Sequence, residues 1–320
     1  MSGTRRALAI AAGCVVALAL LAGAGIALTW SPDLPVSALA PRWAPPPSAF
    51  IEVAGLQVHY RDEGPRDDPA PIVLLHGTSA SLHTWEGWAQ ALRGTRRVVR
   101  FDLPGFGLTG PNASGDYSDA AYVSFVLQTL DALQLPRVVL GGNSLGGAIA
   151  WQTAVAAPER VSQLILVDAG GYAFEATSVP IGFRIARLPW LRGVMRHVLP
   201  RSVVEASVRN VFGDPSRATP ELVDRYVAMT LRAGNRDALA QRMAQMTWGQ
   251  NLAGLRTITQ RTLVIWGGRD RLVPPAHAQQ FARDISGSTV VVFDDLGHVP
   301  HEEDPQRTVL AVQRFLGAGG

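Results

Sequence analysis

The chain of 320 residues contains no lysine and only one cysteine, Cys14. A single thiol excludes an intramolecular disulfide framework. All 29 basic residues are therefore arginine, and against 26 acidic residues they leave a net charge of only +3. The arginines are scattered, without a basic stripe interleaved with aromatics, so nothing points to a nucleic-acid partner. Charged residues are sparse at 17% while hydrophobic ones reach 47%, the balance of a chain with a well-buried core rather than a disordered one. No internal repeat is visible. One α/β domain with an insertion accommodates this length.

The stretch from Ala7 to Trp30 carries no charge and follows Arg5 and Arg6. As a helix it would rise about 36 Å, enough to cross about 30 Å of hydrocarbon. The expectation is a transmembrane anchor over residues 1–30, with the two arginines cytoplasmic and the rest of the chain outside. Ala22-Gly23-Ala24 also fits a cleavage site, which would make the segment a signal peptide and the protein secreted. The apolar run before Cys14 is short for a lipoprotein signal. Residues 31–49 hold Pro32, Pro35, Pro41, Pro45, Pro46 and Pro47, and read as an extended, semi-rigid tether without a core of its own.

From Phe50 onward, strands alternate with helices. Ile51–Val53 and Leu56–Tyr60 suggest a hairpin around Ala54-Gly55. Continuous apolar runs follow at Ile72–Leu75, Arg97–Phe101, Arg137–Gly141, Leu164–Val167, Thr262–Trp266 and Thr289–Phe293. Such runs mean a mostly parallel, doubly wound sheet covered on both faces. Between Tyr172 and about Leu255 the strand pattern gives way to helical spacing broken by Pro180, Pro189, Pro200, Pro215 and Pro220. The expected organisation is a core of 50–171 and 256–320 with a helical lid, 172–255, inserted between.

The chemistry centres on Gly142-Asn143-Ser144-Leu145-Gly146, a G-x-S-x-G sequence between an apolar strand and a small-residue helix. One sharp turn between them forces the serine into a strained conformation and presents its hydroxyl, while glycines admit the close backbone. Ser144 is the candidate nucleophile. A serine hydroxyl needs a base, and the base needs a third group to fix its tautomer. Asp270 follows a strand end through Gly267-Gly268-Arg269, and His298 follows another through Asp294-Asp295-Leu296-Gly297. Ligands of parallel sheets bind at these carboxyl ends, so the three residues arrive on one edge. The developing oxyanion needs donors, for which the backbone amides of Leu145 and Thr78 are the candidates.

Rivals exist for each role. Asp168 also ends a strand but leads into the inserted helices, where it more readily fixes their hinge. His76 suits a structural role in orienting the loop His76-Gly77-Thr78. His298-x-x-His301 imitates a metal pair but lacks a third convergent ligand, and no cofactor is implied. Glu302, Glu303 and Asp304 read as a solvated helix start. In the insertion, Phe183, Ile185, Leu188, Trp190, Leu191, Val194 and Met195 alternate with Arg184, Arg187, Arg192 and Arg196. An apolar face on the core with arginines opposite is favoured over a basic surface resting on lipid.

Taken together, His76-Gly77-Thr78, Leu82-His83-Thr84-Trp85, Asp102-Leu103-Pro104-Gly105-Phe106-Gly107, the Ser144 elbow, Trp266-Gly267-Gly268-Arg269-Asp270 and Gly297-His298-Val299-Pro300-His301-Glu302-Glu303 resemble the α/β-hydrolase superfamily, in its lid-bearing serine lipase/esterase branch. The resemblance covers about residues 50–318. It implies a Ser144–Asp270–His298 triad, oxyanion donors Thr78 and Leu145, and hydrolysis of small-molecule or lipid esters through an acyl-enzyme. Relatives that open epoxides or remove halide carry an aspartate where this chain has Ser144. Asn143 stands where a histidine is common and reads as neutral. Carbon–carbon bond hydrolysis, cofactor-free perhydrolysis and a non-catalytic ligand-binding role remain alternatives.

Overall fold

A computed structural model describes the backbone of residues 3–173 and 175–317, with side chains at 4–6, 9, 18, 19, 21, 22, 189 and 192 outside the description. The apolar runs become strands. β1 (Ser48–Val53) and β2 (Leu56–Glu63) form the expected antiparallel hairpin, with Val53 opposite Leu56. Ala54 and Gly55 take φ of 52° and 76°, the left-handed pair whose twist matches that of the strands. β3 (Ile72–Leu75), β4 (Val98–Phe101), β5 (Val138–Asn143), β6 (Val161–Val167), β7 (Arg261–Gly267) and β8 (Thr289–Phe293) complete one sheet in the order β1-β2-β4-β3-β5-β6-β7-β8. Every pairing from β4 to β8 is parallel, whereas β2 runs antiparallel to both its neighbours.

A parallel sheet needs cover on both faces. One apolar cluster gathers Phe101, Leu130, Trp151 and Phe281, and a second gathers Trp88, Val98, Ile165 and Phe315. The helices begin with α1 (Gly3–Leu28) and α2 (Val36–Trp43), followed by α3 (Glu86–Leu92), α4 (Asp119–Ala132) and α5 (Leu145–Ala156). Ser118 caps α4 by accepting from the Ala121 amide, which satisfies one orphan donor of the first turn. Between β6 and β7 lie α6 (Ile181–Ala186), α7 (Arg192–Met195), α8 (Arg201–Val211), α9 (Pro220–Leu231) and α10 (Asn235–Gln245). Several prolines mark helix starts here. Pro180 and Pro200 precede α6 and α8, and Pro220 opens α9, where a missing N–H leaves no bond unmade. α11 (Ala276–Asp284), α12 (Pro300–Glu303) and α13 (Pro305–Gly317) finish the chain.

The N-terminal region departs from expectation twice. A helix, α1, does cover the segment read as a transmembrane anchor, yet among the described residues no helix is long and apolar enough to cross a membrane. The spanning helix over residues 1–30 is therefore not upheld.

Residues 31–49 are likewise not an extended tether without a core of its own. α2 forms within them, and its Leu39 is buried against Leu108 and Met229. Just before α2 the backbone straps onto the inserted helices. Ser31 donates to the His197 carbonyl (2.7 Å) and Leu34 to the Leu231 carbonyl (2.7 Å), while Ala233 donates back to Leu34 (2.9 Å). Asp33 accepts from the Gly234 amide and from the Arg236 guanidinium, and Trp30 stacks on His197 with ring centres 4.8 Å apart.

Candidate active site

Ser144 links β5 to α5 with φ 54° and ψ −114°, a region that non-glycine residues occupy only where the surroundings compel it. The surroundings do so. The Ser144 amide donates to the Val167 carbonyl, and its own carbonyl accepts from Ala148 and Gly170. A Cβ on Gly146 would collide with the Leu75 carbonyl, and one on Gly142 with the backbone of Gly146. The spacing of the pentapeptide is thus a steric requirement of the turn.

His298 is buried, and its Nδ1 lies 2.7 Å from Asp270 Oδ2. The other Asp270 oxygen accepts from the amides of Leu272 (2.8 Å) and Val273 (2.9 Å), so the carboxylate is held from both sides. Ser144 and His298 line one cavity of about 300 Å³. Thr78, Ser144 and Leu145 meet at a second, smaller chamber on the other side of the serine. All five candidate residues therefore converge on the carboxyl edge of the sheet.

Behind the Thr78 loop, His76 is fully buried. Its Nε2 accepts from the Leu103 amide (2.9 Å), so Nδ1 carries the proton and donates to the Gly77 carbonyl (2.7 Å). Burial pushes its pKa down and keeps it neutral. This is the orienting role expected from its position. Asp102 sits below it, accepting from the Leu82 and Leu108 amides at 2.7 Å and lying 2.8 Å from His59 Nδ1. Although burial opposes its charge, His59 and the neighbouring histidines hold its carboxyl well below the usual range.

Two features were not anticipated. Asn143, read as neutral, is buried and donates its side-chain amide to the carbonyls of Val167 (3.1 Å) and His298 (3.0 Å). Its place directly before the nucleophile was the available signal. The acidic run after His298 is also not a solvated helix start. Glu303 is buried and accepts from the amides of Gly213 (2.9 Å), Asp214 (2.7 Å) and Gly297 (2.8 Å). Glu302 accepts from Tyr226 Oη (2.8 Å) and pairs with Arg225. These acids bind the inserted helices to the histidine loop. His301 is buried against Trp85, ring centres 3.9 Å apart, and desolvation holds its pKa well down.

Phe183, Ile185, Leu191, Val194 and Met195 line the large cavity, whereas Leu188 and Trp190 are exposed, so only part of the expected apolar face turns inward. Arg196 pairs with Asp237 at the surface. As for metals, ligand atoms of Asp168, Asp270 and His298 lie within 4.8 Å of one another among the described residues. Asp270 and His298 already direct their facing atoms at each other. His301 is not part of that group.

A serine on a strained strand-to-helix turn, with a carboxylate-paired histidine on the same edge of a parallel sheet, defines the α/β-hydrolase class of fold. The chain belongs to the alpha/beta hydrolase fold family, which its residues 70–305 match. It is 30% identical over 286 residues to an uncharacterised protein of Mycobacterium tuberculosis, covering 85% of this chain and 82% of that one. It is 31% identical over 282 residues to the 2-hydroxy-6-oxo-2,4-heptadienoate hydrolase of Pseudomonas putida, covering 84% and 96%. A meta-cleavage product hydrolase from Pseudomonas fluorescens superposes with a TM-score of 0.73 at 26% identity, over 85% of this chain and 98% of that one. A structure described as a membrane phospholipase A superposes with 0.72 at 25% identity, over 98% of both chains. The protein is thus an α/β hydrolase.

Proposed function

We propose that the protein is a serine hydrolase of carboxylic esters carrying an extended apolar group, with residues 172–255 acting as the lid over its site. The observation that carries this reading is the cavity at Ser144. Its volume is about 300 Å³ and its walls are largely apolar, including Phe183, Leu191, Val204, Val208 and Leu239, a lining that favours hydrocarbon over charge. Its arginine, Arg236, is already paired with Asp33.

In the first step His298 takes the Ser144 proton as Oγ bonds to the carbonyl carbon. Asp270 steadies the imidazolium, and the amides of Leu145 and Thr78 receive the oxyanion. The carbon–alkoxy bond then breaks as His298 passes the proton to the departing alcohol. Water repeats the sequence on the acyl-enzyme, giving the acid and the free serine. No step needs a group beyond these residues.

The test is hydrolysis of p-nitrophenyl esters from acetate to palmitate by the full-length protein beside Ser144→Ala. Loss of roughly 10⁴- to 10⁶-fold in turnover is expected, and retention within about tenfold would sink the assignment. Similarity to 2-hydroxy-6-oxo-2,4-heptadienoate hydrolase supports a second reading, carbon–carbon bond hydrolysis. A serine-dependent turnover of such a vinylogous keto acid, with none of any ester, would install it.

The same reading puts α1 in contact with a membrane surface. Leu8, Val15, Val16 and Leu20 are exposed along it, and the match to the membrane phospholipase A covers 98% of this chain. Recovery of the full-length protein in the soluble fraction, without detergent, would remove this part.

A further inference from the structure

Asp168 ends β6, and its backbone is held at φ 44°. Its carboxyl is fully buried. Oδ1 accepts from the Gly267 amide at 2.9 Å, whereas Oδ2 meets no donor. The ligand atoms of Asp168, Asp270 and His298 lie within 4.8 Å of one another. Two adjacent buried carboxyls strongly disfavour carrying charge together, so one of them holds a proton.

The donors decide which. Asp270 faces three: the amides of Leu272 and Val273 on Oδ1 and the His298 ring on Oδ2. Asp168 faces one, the Gly267 amide. Charge therefore rests on Asp270 and the proton on Asp168. A proton on Asp168 Oδ2 also resolves the orphaned oxygen, because it can be donated to Asp270.

We propose that Asp168 is a positioning residue of the triad: a neutral carboxylic acid that hydrogen-bonds Asp270 and stands as substitute acceptor for His298. This rests on the triad of the proposed function. Burial first, and then the charges of Asp270 and Glu303, push the Asp168 pKa well above its ordinary value. The charged and titratable groups around it are Asp270, Glu303 and the His298 ring. In the intact site no covalent bond changes. Where Asp270 cannot accept, Asp168 releases its proton to solvent and its Oδ2 takes the hydrogen bond from the imidazole, restoring a charged partner.

The experiment compares full-length wild type, Asp270→Asn, Asp168→Asn and the double variant by the rate at which a fluorophosphonate labels Ser144, from about pH 6 to 10. Labelling reads the activated serine whatever the natural substrate, so failure of the ester reading is seen separately, in p-nitrophenyl ester turnover. Asp270→Asn is expected to label about 10- to 100-fold slower than wild type, with a rate that climbs as pH rises and Asp168 ionises. The double variant is expected near the about 10⁴-fold loss typical of a triad without its acid, and without the climb. Equal rates and equal profiles for Asp270→Asn and the double variant would overturn the proposal. Should Asp270→Asn fail to fold, Asp168→Asn and Asp168→Ala decide it. The asparagine keeps a donor toward Asp270 and labels at least tenfold faster, whereas equal rates would overturn the proposal.

Discussion

Asn143 and His298 are 155 positions apart, yet the Asn143 side chain donates to the His298 carbonyl at 3.0 Å. The residue before the candidate nucleophile thus sets the height of the loop that carries the base. Removing the amide takes the side-chain donor from the His298 carbonyl, at about 1–3 kcal/mol, while Val167 keeps the Ser144 amide, and lets the imidazole drift. Asn143→Ala should lower kcat about 10- to 100-fold, since misplacement of about 1 Å is felt at that scale, with little change in KM. An unchanged kcat beside a lowered melting temperature would assign Asn143 to stability alone.

Cavity shape should govern chain length. Val208 is buried and lines the cavity from α8. Val208→Trp fills part of the volume, so the optimum should move toward shorter acyl chains while acetate hydrolysis holds. A profile across p-nitrophenyl esters checks this, and a parallel fall at every length would count against the acyl assignment.

The bond between the inserted helices and the histidine loop is electrostatic. The Glu302 and Arg225 side chains are only 6% and 15% exposed, so breaking the pair leaves a largely desolvated guanidinium. Glu302→Gln should destabilise by about 3–5 kcal/mol. Adding Arg225→Met should recover part of the loss, because the two changes share one interaction. Urea unfolding of the three variants measures it. Strict additivity would mean that the pair contributes nothing as a pair.

Mild acid should weaken the fold. Burial lowers the pKa of His76, His83 and His301 from the ordinary 6.5, to about 3 for His83. The unfolded chain then takes up protons first, so stability is full above about pH 6.5 and falls as pH drops below it. With His277, lowered by the same cause, four such groups give a slope of up to about 5 kcal/mol per pH unit. Asp102, whose pKa is depressed, begins to lose its contribution only below its ordinary 3.8, so histidine governs the range between. Urea unfolding at pH 7.5 and 5.5 should show the loss, and His301→Phe should shrink it by about a quarter. Equal stability at the two pH values would refute the account.

The fold was readable because strand ends carry local grammar: an apolar run, then glycine, then a reactive residue. Ser144, Asp270, His298, Thr78 and Leu145 each stand in such a context, and the hairpin turn at Ala54-Gly55 is equally local. What escaped depends on partners distant in sequence. Nothing near Glu303 announces that Gly213 and Asp214 present their amides to it, and nothing near Asp168 shows the charge of Asp270 beside it. Proline misled in the same way. Counted along residues 31–49 it suggested an extended tether without a core of its own, whereas Leu39 finds its pocket against Leu108 and Met229 from the core and from α9.

The strap at residues 30–34 also defines a path for mechanical load. It grips the chain at His197 and Val198 and again at Leu231 to Arg236, and Val198 and Arg236 are walls of the cavity. A pull on α1 therefore arrives at the cavity wall before it reaches the sheet. A piece that keeps these contacts begins no later than Thr29, whose carbonyl accepts from the amide of the cavity residue Leu199 (3.2 Å), well ahead of the first strand.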